Sequence, residues 1–186
     1  VFDRNRRRVV SSISVGREPQ AVAIDPRLPR AYVSLAGEDR IAVVDIDAGE
    51  VTGRLLLRAG DQPGELIVAP DGRTLVFPEI YAPITTTATI STETLYASPF
   101  SFFSRLQAVA LDTNATVNLS GDQVVEDTAP LYAPGGQWLV FARRGLETGT
   151  WTPGRQLWRI RPDGSEALAL TDDPVAYHSA VRWSPD

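Results

Sequence analysis

The sequence predicts an all-β protein assembled from repeated four-stranded units. Three observations carry that expectation. First, "VGREPQAVAIDPRLPRAYVSL" (15–35) and "AGDQPGELIVAPDGRTLVFPE" (59–79) share a framework: Gly16, Pro19 and Pro26 recur as Gly60, Pro63 and Pro70, each 44 residues on. Second, the apolar runs are short, rich in Val, Ile, Leu and aromatics, and bounded by Gly, Pro or Asp, as strands between turns are. Third, no stretch of about 11 residues carries a convincing helical period.

The elements follow in chain order. "VFD" (1–3) recurs as "VVD" (43–45), and "VVSSISV" (9–15) as "VTGRLLL" (51–57), so residues 1–18 are expected to supply only strands 3 and 4 of a first unit. "RNRRR" (4–8) between them is expected as a solvated hairpin tip. Residues 19–58 supply a full unit, with strands "AVAID", "AYVSLA", "RIAVVDI" and "VTGRLLL". Residues 63–120 supply a second, carrying an insertion at 79–104, and residues 127–171 a third. "DTAPLYAPGG" (127–136) aligns with "HSAVRWSPD" (178–186), offset by 51. Residues 176–186 are therefore expected to begin another unit, with Trp183 in an inter-unit core. Several of these runs are apolar nearly throughout, as strands covered on both faces would be.

Four antiparallel strands repeating every ~40–50 residues describe the blade of a β-propeller, in which blades stack radially because one sheet cannot cover its own faces. A β-sandwich would show no fixed period. The chain has no Met and both of its ends fall inside a unit, so a partial ring is expected: three full blades plus partial blades at both ends.

Composition bounds the chemistry. Apolar residues make up 43% of the 186 and charged residues 22%, a globular balance. A net charge of −5 argues against a nucleic-acid partner. There is no Cys, which excludes disulfides and thiolate metal sites. All 18 basic residues are Arg, which excludes Schiff-base lysines and a P-loop. No apolar run approaches the roughly 20 residues of a membrane-spanning helix.

Strand direction alternates within a blade, so the turns between strands 2 and 3 share one face. Two of these turns are long. The larger, 79–104, holds Tyr81, Tyr96, Phe100, Phe102 and Phe103; the smaller, 143–155, holds Trp151. Long loops in compact domains serve function more often than connection, and aromatics are enriched at interface hot spots. These six residues are the expected contact surface for a protein partner, with peripheral membrane contact as a variant. The plainer expectation is that they pack the insertion onto its own blade.

Glu65, Glu126, Asp127 and His178 lie at or near the starts of first strands, facing the channel. Carboxylates around a channel are the ligand type for Ca²⁺. The competing expectation, favoured for His178 and Asp127, is a purely structural role. Asp45, Asp47, Asp71, Asp112, Asp163, Asp172 and Asp173 sit in turns, where Asp bonds its own backbone. "NAT" (114–116) and "NLS" (118–120) match the glycosylation sequon. No G-x-S-x-G elbow accompanies the single His, so no catalytic residue and no cofactor are assigned.

The stretch "GREPQAVAIDPRLPRAYVSLAGEDRIAVVDIDAGEV" resembles the YVTN-type repeat of lactonase-like surface propellers. "QLWRIRPDGSEALALTDDP" and "VRWSPD", with a degenerate "PLYAPGGQWLVF", resemble the TolB-like repeat. The resemblance implies a bacterial propeller in the periplasm, on the cell surface or secreted. The expected function is a non-catalytic scaffold that presents a loop face to a protein partner. The alternatives are a lactonase-like hydrolase and the substrate-gating propeller of a larger peptidase.

Overall fold

The computed structural model describes residues 2–3, 5–58, 60–80, 103–121, 123–146, 152–178 and 181–184. A short hairpin, β1 (Phe2–Asp3) and β2 (Arg8–Val9), comes first, with an exposed turn at residues 5–7. Three four-stranded antiparallel meanders follow. The first is β3 (Pro19–Ile24), β4 (Arg30–Leu35), β5 (Arg40–Asp45) and β6 (Glu50–Leu56). The second is β7 (Ile67–Val68), β8 (Thr74–Ile80), β9 (Ser104–Ala110) and β10 (Thr116–Asn118). The third is β11 (Val125–Tyr132), β12 (Leu139–Gly145), β13 (Gln156–Ile160) and β14 (Leu168–Ala169). Each runs in sequence order across its sheet.

One turn sets the start of each meander. The N–H of Asp25, Ala69 and Ala133 donates to the carbonyl of Arg30, Thr74 and Trp138 respectively, at 2.8 Å in all three. The first two are the 44-residue repeat seen as hydrogen bonds. Gly72 and Gly136 close the second and third of these turns with φ of 68° and 72°, a left-handed backbone that side chains disfavour.

The meanders stack face to face, and strand alternation explains how. In β4, β8 and β12, one row of side chains faces backward along the chain and the other forward. Leu75 and Phe77 face back onto Ala23, Tyr32 and Ile41 of the first meander. Leu139 and Phe141 face back onto Ala69, Val76, Leu106 and Leu119 of the second. Ala31, Val33 and Leu35 face back onto Ile13 and Val15. Both faces of each second strand are thus buried, which is why these strands read as unbroken apolar runs.

The first strands are innermost: β3 contacts β7, and β7 contacts β11. The second and third meanders are joined by one parallel bridge, Ser104 to Glu126, and the same bridge recurs 51 residues on, between Arg155 and Tyr177. That reproduces the offset read from the sequence. One expectation fails. Residues 181–184 form no strand, and Trp183 is 41% exposed rather than in a core. A strand needs a neighbouring strand, and no described strand pairs with residues 181–184.

Candidate functional site

The strand boundaries correct both insertions. The first is expected to begin at residue 79, but β8 continues through Ile80 and β9 begins at Ser104. The second is expected to begin at residue 143, but β12 continues through Gly145. Charged residues that suggest loop are strand instead, because each has a partner directly across the sheet. Glu79 lies opposite Arg105, Glu126 opposite Arg144, and Asp127 opposite Arg143. Opposite charges in facing positions stabilise a sheet where like charges would not.

These pairs sit at the strand ends that the two insertions connect. Arg143 grips Asp127 with two parallel bonds of 2.7 Å, Nε to Oδ1 and Nη2 to Oδ2. Its remaining Nη1 donates to Gln123 at 2.8 Å, and its guanidinium lies 5.0 Å from the Phe141 and Trp158 ring centres. Asp127 is fully buried and also accepts from the Ser120 hydroxyl. Burial pushes its carboxyl up, and Arg143 and Ser120 oppose that push. Beside it, Glu126 binds both Arg144 and Arg155, and Arg155 stacks on Tyr177 at 4.7 Å. A cavity of about 380 Å³ opens among Gln123, Arg143, Gln156 and Trp158.

At the root of the larger insertion, Arg105 Nε donates to Glu79 Oε2 at 3.0 Å and Gln107 donates to the same oxygen. Glu79 also faces the Asp61 carboxyl, which accepts from the Arg58 N–H at 2.8 Å. Glu79, Arg105, Arg144 and Arg155 all flank the insertions, so the roots of both are pinned by charge pairs.

The candidate residues named from the sequence divide. Tyr81, Tyr96, Phe100, Phe102 and Trp151 lie outside the described residues; Phe103 is half-buried just before β9. Glu126 and Asp127 are bound up in the ion pairs above. Glu65 is exposed, and its carboxylate accepts from the Ala129 N–H at 2.6 Å, tying the second meander to a bulge in β11 where Ala129 has φ of 52°. His178 is half-buried, and its backbone N–H donates to the Arg155 carbonyl at 3.2 Å. The four do not converge: no three acidic or histidine side chains among the described residues form a metal-sized cluster. The turn aspartates bond locally, as in Asp71 to the Arg73 N–H and Asp163 to the Ser165 N–H, both 2.9 Å.

Sequence reading misses Asp61, Glu79, Arg105, Gln107, Arg143, Arg144 and Arg155. A signal is present. "ED" at 126–127 opens one apolar run and "RR" at 143–144 closes the next, and adjacent strands of a meander bring such ends together.

No protein-family model matches the chain, and no curated protein sequence does. Solved structures do. A chain of a nidogen/laminin complex superimposes with a TM-score of 0.61 at 14% identity, covering 88% of this chain and 52% of that one. The tricorn protease matches with a TM-score of 0.60 at 9% identity, over 87% of this chain and 18% of that one. The hydrazine synthase of Kuenenia stuttgartiensis matches with a TM-score of 0.50 at 17% identity, over 95% of this chain and 60% of that one. The chain thus spans less than two thirds of each. At these identities the likeness is one of fold, and the fold is a β-propeller of four-stranded antiparallel blades. No helix among the described residues is long and apolar enough to cross a membrane.

Proposed function

We propose that the chain is a non-catalytic propeller module that presents the face bearing its two strand 2–3 insertions to a protein partner, outside the cytoplasm. The observation that carries this reading is the set of pinned strand ends. The insertions join strand ends on the same rim, and these ends are fixed by ion pairs, buried for Arg143 with Asp127 and partly buried for the others. A rigid base lowers the ordering cost that a loop surface incurs on binding. Tyr81, Tyr96, Phe100, Phe102, Phe103 and Trp151 supply the contact surface in this reading; Glu65 and Asp127 tie the second blade to the third, and Glu126 and His178 bond within the third blade and its C-terminal extension. The likeness to a chain of a nidogen/laminin complex is compatible with a protein-binding role. The repeats are read as YVTN-like in the first half and TolB-like in the second, on the residues quoted above.

The test is to delete residues 82–102. Partners captured by cross-linking to the intact protein are identified, and their affinity for both forms is measured. The expected result is lost binding with an unchanged melting profile. Equal affinity for a folded deletion variant would overturn the reading.

A further inference from the structure

Asp61 and Glu79 sit on opposite sides of a seam between blades. Asp61 belongs to the connection from β6 to β7, and Glu79 to β8. Both are at least 94% buried. Their carboxyls meet at the wall of one small cavity. Two buried carboxylates side by side repel, so one of them keeps a proton.

The surroundings say where the proton rests. Glu79 is faced from β9 by the Arg105 guanidinium and the Gln107 amide. Asp61 is faced by Glu79, by the Arg58 backbone N–H, and more weakly by the exposed Arg58 guanidinium. The other nearby walls, Leu56 and Leu57 of the first blade, Phe77 of β8 and Thr116 of β10, carry no charge. Negative charge belongs on Glu79 and the proton on Asp61.

The connection carrying Asp61 is held at two points. The Asp39 carboxylate accepts from the N–H groups of Gly60 and Gln62, both at 2.9 Å, fixing it to the first blade. The Asp61 carbonyl accepts from the Ile80 N–H at 3.1 Å, fixing it to β8. A cavity of about 180 Å³ adjoins the pair, giving the connection room to move. We propose that the proton shared by Asp61 and Glu79 is a latch between the first and second blades, closed while the pair holds it and loosened when it leaves. The latch concerns the seam alone and does not depend on what the insertion face binds.

Burial, and then Glu79, push Asp61 up to about 7. Burial works to raise Glu79 as well, but its bonds from Arg105, Asp61 and Gln107 hold it below the ordinary range. The sign follows from linkage. A carboxyl raised in the folded state gives stability that is complete below the ordinary carboxylate range, is lost as pH rises toward 7, and stays lost above it.

The experiment is a carboxyl ¹³C NMR titration of the intact chain from pH 4 to 9, with urea midpoints over the same range and Asp61→Asn as the non-titrating comparison. The expected result is an Asp61 midpoint near 7 and a urea midpoint that falls up to that pH and then levels. In Asp61→Asn that fall shrinks, and in the wild type the protection of the Ile80 amide, taken relative to its intrinsic base-catalysed exchange rate, drops above pH 7. An Asp61 titration in the ordinary carboxylate range overturns the proposal, as does an undiminished fall in Asp61→Asn. If the variant does not fold, the wild-type NMR titration decides alone.

Discussion

The first and third blades place opposite chemistries at one backbone position. Five residues beyond the carbonyl that closes the opening turn, the second strand carries Leu35 in the first blade and Arg143 in the third. Both face back along the chain and both are buried. Leu35 packs among Ile13, Val15 and its own sheet. Arg143 meets Asp127, Gln123 and two aromatic rings. The middle blade puts Glu79 there. The fold asks of this position only that the side chain be covered and satisfied. What differs is how failure is felt. Trimming the leucine leaves a cavity; halving the ion pair leaves a buried charge.

The largest effect should come from halving the ion pair. Arg143→Leu strands Asp127 in the interior and should cost about 3–5 kcal/mol, read from urea unfolding midpoints. Adding Asp127→Leu should return most of that loss, because a matched apolar pair replaces a matched ionic one. If the double variant is as unstable as the single one, the equivalence with Leu35 is wrong. Leu35→Ala should cost about 2–4 kcal/mol by the same measurement, with the slope of the transition unchanged.

Next comes the polar tie at the first seam. Ser34 is buried; its hydroxyl donates to the Gly64 carbonyl at 2.7 Å and accepts from the Ala21 N–H at 3.0 Å. It therefore joins two blades through backbone groups alone. Ser34→Ala should cost about 1–2 kcal/mol, since the Gly64 carbonyl and Ala21 N–H lose their partner. The third blade uses a different tie for the same purpose, from the Ser104 hydroxyl to the Asp127 carbonyl at 2.8 Å.

How much of this is legible in the sequence depends on the kind of interaction. The fold is legible because its signals are local. The Gly72 and Gly136 turns, the short apolar runs and the 44- and 51-residue offsets each report a backbone conformation within one stretch of chain. The site is mostly not legible. Glu79 stands 26 residues before Arg105, across the larger insertion, and a lone Glu after "LVFP" looks like the start of a loop. Arg143 and Arg144 look solvated for the same reason. Their burial depends on partners fixed by strand pairing, and composition does not report pairing. Asp127 reads from the sequence only as a polar residue at a strand start; its bonds to Ser120 and Arg143 depend on the folded sheet. Trp183 misleads because its motif implies a strand, and no described strand pairs with that segment.

The smallest effect isolates burial as the deciding variable. Arg161 and Glu166 form an ion pair in the same third blade, with nitrogen and oxygen 3.3 Å apart, but their side chains are 35% and 60% exposed. Water screens this pair and solvates whichever partner is left, so Glu166→Gln should change stability by no more than about 0.5 kcal/mol. Raising the salt concentration should remove even that difference. The charge types match those of Arg143 and Asp127, so the two pairs differ chiefly in solvent access and in the number of bonds made. If Glu166→Gln cost as much as Arg143→Leu, burial could not be what makes Arg143 expensive to lose, and the contrast with Leu35 would have to rest on something other than the covering of the site.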